Sequence, residues 1–354
     1  MDFEVLKNKI NNLNCYSQKE LMRFEKELVI SPEDFAMIFL GARFDELDVN
    51  KLPYVIDILY RSKNRFNFLL CILLLDFTFT QLPFLTQLES YPISLEKFKE
   101  LKHTLVTIYA ETDGDICNCM ALILVINDPK FKYLDKPELD ILVSATTRKL
   151  DEIVDYLECG YDIDDEICRE IEILIDLACY MNKKKINRLV SKLSKYKLNF
   201  LCKLFITKYR IANSMNITKK EIRYLLDDKD ELARVASALS KVNGLKYLDS
   251  EGVKQDDIAL STMIRWISYH NKLGKKPNKI DLVDTLEYND EIFYIYKFKI
   301  SIFNKRGYML GVSGGYKKSI LSASSSLTYS EFEPVKDDYL AQAKKLIDVS
   351  VNIR

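Results

Sequence analysis

Histidine is nearly missing from this chain, which holds only His103 and His270 among 354 residues. Glycine (ten) and proline (eight) are scarce, and no proline falls between positions 138 and 276. That removes the strongest helix breaker from a long stretch. Net charge is absent too, because 52 basic residues balance 52 acidic ones. A neutral chain is not drawn as a whole to nucleic acid or to an anionic membrane surface, which leaves only a local patch for either task. Long apolar runs are also lacking. The longest, Phe68–Leu75 and Met120–Ile126, fall far short of the roughly 20 residues of a spanning helix and read as buried core helices. The opening MDFEVLKNKI has no basic-then-apolar leader pattern. Eight cysteines in a chain of this length are too sparse for a secreted disulfide scaffold and read as reduced, mostly buried thiols. The expectation is a soluble, cytoplasmic protein with no membrane partner.

What is present is helix. Hydrophobic residues make up 48% of the chain, enough for a large core. Ser17 precedes an apolar-periodic run and Glu20 follows three positions on, the spacing of a capping box. Ser31-Pro32-Glu33-Asp34 combines an N-cap, a first-turn proline and two early acids. Pro53 and Pro137 stand where new helices begin, and Ser94 opens a run that closes before Gly114. Gly160, Gly244 and Gly274 suit helix C-termini. Ile167, Ile171, Leu174, Ile175 and Ala178 share a helical face, as do Ile186, Leu189, Val190 and Leu193. Helices of this length with short links predict antiparallel hairpins. The tetratricopeptide and ankyrin patterns are not found. The general look is similar to an irregular HEAT-like array.

The period changes near Asp290. Ile292, Tyr294, Tyr296, Phe298, Ile300 and Ile302 alternate with a more mixed set, as a strand requires. Asn304–Gly307 suits a hairpin loop, and Tyr308–Val312 the return strand. Ser319–Thr328 is serine-rich and suits a third short strand or a loop. A last amphipathic helix follows Pro334, with Tyr339, Ala343, Leu346 and Ile347 inward. The predicted fold is therefore mostly α: an irregular HEAT-like array of antiparallel helix hairpins over residues 1–290, then a small C-terminal unit of β-hairpin plus helix over 291–354, packed on it.

Several motifs invite chemistry. Gly311-Val312-Ser313-Gly314-Gly315 matches the form of a nucleophile elbow, but that chemistry needs a histidine base, and both histidines precede the serine, against the α/β-hydrolase order. The overlapping Ser313–Lys318 segment resembles the SGGxDS loop of PP-loop ATP pyrophosphatases, departing at Lys317 and Lys318, where that family has aspartate and serine. A tight glycine turn is the plainer expectation. Cys117-x-Cys119 is spaced too closely for a zinc knuckle and has no second pair. Trp266 and His270 fall one turn apart on a helix, a packing face before a stacking site. No catalytic set, metal site or cofactor site emerges.

Charge order along the chain is the feature that stands out. From Asp151 to Asp176 eleven acids are opposed only by Arg169, and from Leu177 to Lys220 there is no acid at all. The basic stretch includes Lys183, Lys184, Lys185, Arg188, Lys192 and Lys195, the candidate contact residues. One reading pairs the two segments with each other or leaves them solvated, since surface pairs contribute only ~0–1 kcal/mol each. The other makes them a docking surface. The expected function is a non-enzymatic interaction or scaffold protein, with a protein partner that is itself acidic. The alternative is a nucleic-acid-binding or processing protein using the basic helices of residues 183–220.

Overall fold

A computed structural model describes residues 3–12, 17–27, 33–34, 38, 106–107, 109–111, 135–181, 183–270, 279–288, 290–302, 305–324, 326–329 and 339–352. The features expected at Ser31-Pro32, Pro53, Phe68–Leu75, Cys117-x-Cys119 and Met120–Ile126, and most of the run from Ser94, lie outside the described residues. The described chain is mostly helical with one four-stranded antiparallel sheet towards its C-terminus. It divides into two compact units, Met1–Tyr196 and Lys197–Arg354. Among the described residues no helix is long and apolar enough to cross a membrane.

In the first unit, helix α1 (Phe3–Asn11) buries Phe3, Leu6 and Ile10 along one side. Helix α2 (Gln18–Glu27) starts at Ser17, whose backbone N–H donates to the Glu20 carboxylate at 2.7 Å while its hydroxyl accepts from the Glu20 N–H at 3.4 Å. Helix α3 (Lys136–Glu158) opens on a second reciprocal box between Asp135 and Glu138, with Pro137 in its first turn. Pro137 loses nothing there, because first-turn N–H groups have no helical acceptor. The helix ends at Cys159, and Gly160 follows at φ +84°, a left-handed turn that glycine enters without Cβ strain. Leu142, Ala145, Leu150, Val154 and Leu157 form its buried stripe. Helix α4 (Asp165–Ala178) is capped by Asp164, which accepts from the Ile167 N–H. Helix α5 (Lys184–Leu193) buries Ile186, Leu189, Val190 and Leu193. Both α4 and α5 pack on α3.

The second unit opens with α6 (Phe200–Ala212), capped by Asn199. Helix α7 (Lys219–Leu226) follows, closed by a reciprocal box between Thr218 and Glu221. A 3-10 turn at Lys229–Glu231 leads to α8 (Leu232–Ser240), the short α9 (Leu245–Ser250) and α10 (Gln255–His270). Alternate helices touch: α6 packs on α8, and α8 on α10. Gly244 does not close α8 in the left-handed conformation, as its position suggested. Asn243 takes that role at φ 55°, and Gly244 lies where a Cβ would meet Ile211 and Leu239 at 3.0–3.1 Å.

The sheet runs in the order β1-β2-β3-β4, with β1 (Ile280–Tyr288), β2 (Glu291–Ile302), β3 (Lys305–Lys317) and β4 (Ser326–Tyr329). Helix therefore does not extend to residue 290, because β1 intervenes. The hairpin between β2 and β3 is tighter than expected, with Ile302 paired to Lys305, so Lys305–Gly307 begin the strand. One sheet face, carrying Tyr294, Tyr296, Phe298, Ile300, Met309 and Tyr316, packs on Ile258, Met263 and Ile267 of α10. The other face, carrying Phe293, Ile295, Leu310 and Val312, is covered by Ala343 and Ile347 of the last helix, α11 (Tyr339–Asn352). A four-stranded sheet covered on both faces has the burial that an isolated hairpin lacks.

Candidate functional site

The glycine-rich motif resolves first. Gly311–Gly315 is not a turn but the middle of β3, with Gly311 opposite Tyr296 and Tyr329 and Gly314 opposite Ser326. Between the pairs Ile292↔Tyr316 and Tyr294↔Ser313, Phe293 alone stands against Gly314 and Gly315, a β-bulge whose Gly315 has φ +76°. A Cβ at Gly314 would sit 2.0 Å from the Phe293 ring, and one at Gly311 2.4 Å from Met263 and 2.8 Å from Phe298. Both glycines are present because side chains lie flat over the strand. Ser313 is fully buried and shares a 2.6 Å hydrogen bond with the Tyr316 hydroxyl, which lies 3.2 Å from Thr262. An elbow serine must stand exposed at a strand-to-helix turn, and this one does neither. Burial raises the Tyr316 phenol above its ordinary range, although the hydroxyls of Ser313, Thr262 and Ser324 pull the other way. Burial does the same to Tyr294, with the Asp256 charge adding to it. The backbone N–H of Lys317 donates to Ser322 at 2.8 Å, and the Lys318 ammonium pairs with Glu287. The hydroxyls of Ser313, Tyr316 and Thr262 thus form a buried polar cluster, while the Lys318–Glu287 pair lies on the surface.

Trp266 likewise serves packing, meeting Phe298 edge-on at 6.0 Å. Neighbouring Arg265 pairs with Glu231 at 2.6 Å. The His270 side chain lies outside the described residues. Among the described residues no group of three or more histidines, cysteines and carboxylates is placed to hold a metal ion.

The basic stretch splits into two differently used parts. In the second unit three of its six cations are engaged, while Lys197, Lys219 and Lys220 are exposed. Lys203 sits 4.0 Å over the Tyr224 ring, Lys208 is buried beside the Phe205 ring, and Arg210 pairs with Glu221. Tyr209 is fully buried, so it offers no stacking platform for bases. In the first unit, Lys185 pairs with Asp151 and Lys192 with Glu158, each at 2.8 Å. The two pairs step by one heptad along both helices, so α3 and α5 run parallel and in register. The acidic segment thus meets the basic one through α3, and two of the six candidate cations are consumed.

The remaining four are exposed or flank the helix start. Lys184 and Arg188 lie one turn apart on the side of α5 away from its buried residues, and Lys195 lies in the turn that follows the helix. All three are exposed, and among the described residues none has a carboxylate partner. Lys183 occupies the N-cap of α5 without a side-chain cap bond, and the first turn holds no acid. Lysines there add to the positive end of the helix dipole instead of offsetting it.

Beside them lies a feature that charge counting in the sequence does not disclose. An open groove of about 570 Å³ runs between α3 and the start of α5. Val143 and Thr147 lie along it, one turn apart, with Arg148, Asp151, Asp155, Lys183 and Lys185 around them. The Thr147 hydroxyl donates to the Val143 carbonyl at 2.6 Å, which leaves its methyl as the unbonded part. The i, i+4 series Val143, Thr147, Asp151, Asp155 was the available signal, since it borders the buried stripe of α3 and passes from half-buried apolar to charged positions. On the other side of α3, a second groove of about 380 Å³ carries Glu152, Asp164, Glu166 and Glu170, next to a stacked pair of exposed tyrosines, Tyr156 and Tyr161, at 4.5 Å. No protein family, curated protein or solved structure matches this chain.

Proposed function

We propose that this chain is a non-enzymatic interaction or scaffold protein that presents stacked helices to an acidic protein partner through α5. The observation that carries the reading is the exposed stripe of Lys184, Arg188 and Lys195, which no carboxylate of the described chain neutralises. Packing between alternate helices supports it: α3 with α5 in one unit, and α6 with α8 and α8 with α10 in the other. That is how consecutive hairpins stack in HEAT-like arrays, which bind partners along extended surfaces. A cationic stripe set in a neutral molecule favours partners by complementary potential rather than by bulk attraction.

The test is capture from the native host on immobilised full-length chain, comparing wild type with the triple variant Lys184→Glu, Arg188→Glu, Lys195→Glu. Wild type should retain a discrete protein from nuclease-treated lysate, and the variant should lose it, with Kd weakened on the order of 10- to 100-fold at ~0.5–1 kcal/mol per reversed contact. Equal capture by the variant refutes the reading. Retention that vanishes with nuclease, and falls steeply with salt, transfers the stripe to nucleic acid.

A further inference from the structure

The geometry points to a second contact within the same docking event: the groove between α3 and α5 holds a short amphipathic helix of the partner. This inference rests on the reading of α5 as a docking surface and adds the shape and chemistry of what docks. The groove is long rather than round. Its α3 side runs from Val143 to Asp155, about three helical turns or roughly 18 Å. A helix laid in such a channel uses anchors one turn apart, and Val143 with Thr147 supply two small apolar contacts at that spacing. Both are partly exposed, so a narrow seam of alanine or leucine would cover surface that now faces water.

Charge then selects the flanks. Arg148 pairs with Glu152 at 2.9 Å and Lys185 with Asp151 at 2.8 Å, so those four groups are already neutralised. Two charges in the groove are left without an ion pair among the described residues: Lys183 where α5 begins and Asp155 on α3. The complementary occupant carries carboxylates along the flank that faces α5 and an ammonium or guanidinium on the flank that faces α3. Its acidic flank is the same chemistry that the stripe of Lys184, Arg188 and Lys195 selects. A disordered acidic tail meets that stripe equally well but leaves Val143, Thr147 and Asp155 unused.

The probe is a fluorescein-labelled, lactam-stapled peptide of about four turns with an alanine and leucine seam, glutamates on one flank and lysines on the other. Its comparators are the same composition interrupted by proline and an oligoglutamate of equal acidic charge. Fluorescence anisotropy with the full chain should show saturable binding of the stapled helix and at least tenfold weaker binding of both comparators. Thr147→Trp, which fills the channel from a partly exposed position, should weaken the stapled helix at least tenfold without changing the melting temperature. Asp155→Lys should weaken it too, and binding should return when the peptide's lysines are replaced by glutamates. Equal binding of the oligoglutamate, an unaffected Thr147→Trp variant, or no saturable binding at millimolar peptide overturns the helix-in-groove inference. The docking reading is judged separately by the capture experiment. If Thr147→Trp captures the native partner undiminished while the triple charge reversal does not, the groove is wrong and the stripe stands. If the triple reversal also captures it, both fall.

Discussion

Replacing Gly314 with alanine tests whether the glycine motif of β3 exists for packing. A Cβ built there stands 2.0 Å from Cδ1 and 2.5 Å from Cε1 of Phe293, against an ordinary contact of 3.4–4 Å. The ring must retreat by about 1.4 Å to clear it. It has little room to do so, because Phe293 is fully buried in a cluster with Ile295, Leu310, Ala343 and Ile347. Overpacking a close-packed core costs typically ~1–3 kcal/mol, and a displacement of this size belongs at the upper end. For a unit of this length each kcal/mol moves the melting temperature by about 2–4 °C, so Gly314→Ala should lose about 6–12 °C. Gly160→Ala is the control: nothing lies within 4 Å of its Cβ, and only the φ of +84° opposes it, at ~1–2 kcal/mol. Thermal and urea unfolding followed by circular dichroism measure both. A double variant with Phe293→Leu should be less destabilised than the sum of its parts by about 1–2 kcal/mol, because the smaller side chain makes the space that alanine needs. A cost under ~0.5 kcal/mol for Gly314→Ala, or strict additivity with Phe293→Leu, would refute the packing account of the motif.

Three further outcomes follow from the second unit. Thr218→Ala removes the cap of α7 and should cost about 1 kcal/mol. The Glu221 carboxyl is partly buried, which raises its pKa, but the Thr218 N–H and hydroxyl together with Arg210 outweigh this and hold it below the ordinary range. A depressed carboxylate stabilises the fold above its unfolded pKa and loses that contribution as pH falls through the folded one. Glu221→Gln should therefore flatten the acid limb of the urea midpoint against pH, and an unchanged limb would reject the link. At the alkaline end, burial raises the phenols of Tyr294, Tyr296 and Tyr316. Their contribution is complete below the ordinary phenol range and declines above it, so their ionisation, read at 295 nm, should accompany loss of circular dichroism. Ionisation of all 21 tyrosines with the native signal intact would contradict that burial.

Helix boundaries were legible where side chains cap backbone groups locally. The Ser17–Glu20 box and the Pro137 start needed no tertiary information. The strand β1 was hidden by its own irregularity. Ile280, Val283 and Leu286 are spaced by three, which imitates a helical stripe. The true cause is a register shift between Leu282 and Asp284, which moves the inward positions from one sheet face to the other. A bulge breaks period two, which is the main strand signal a sequence carries at short range. The glycine motif was misplaced for a related reason. Glycine marks a turn and a strand crossed by an aromatic ring equally well, and only the opposing Phe293 distinguishes them. The basic stretch was legible as charge, but its division was not. Which lysines are consumed depends on the heptad register of α3 against α5, and that register is a tertiary fact.

That register also shows why the pairing of opposite charges and the docking of a partner are not competing accounts of α5. Ion pairs at Asp151–Lys185 and Glu158–Lys192 share one offset along the chain, so they fix how α3 and α5 align even though each exposed pair contributes only ~0–1 kcal/mol. Aligning the helices places Lys185 and Lys192 towards α3. Helical geometry then turns Lys184 and Arg188 away from it, since neighbours in sequence lie about 100° apart around the axis. Of the acids on this side of α3, Asp151 and Glu158 are already engaged, and Asp155 pairs with neither Lys184 nor Arg188. A segment with six cations facing a helix that meets two of them must carry the rest outward. The internal pairs therefore orient the free stripe, and removing the pair that lies outside the groove through Glu158→Ala should loosen partner binding in the capture experiment by shifting α5 without touching a contact residue.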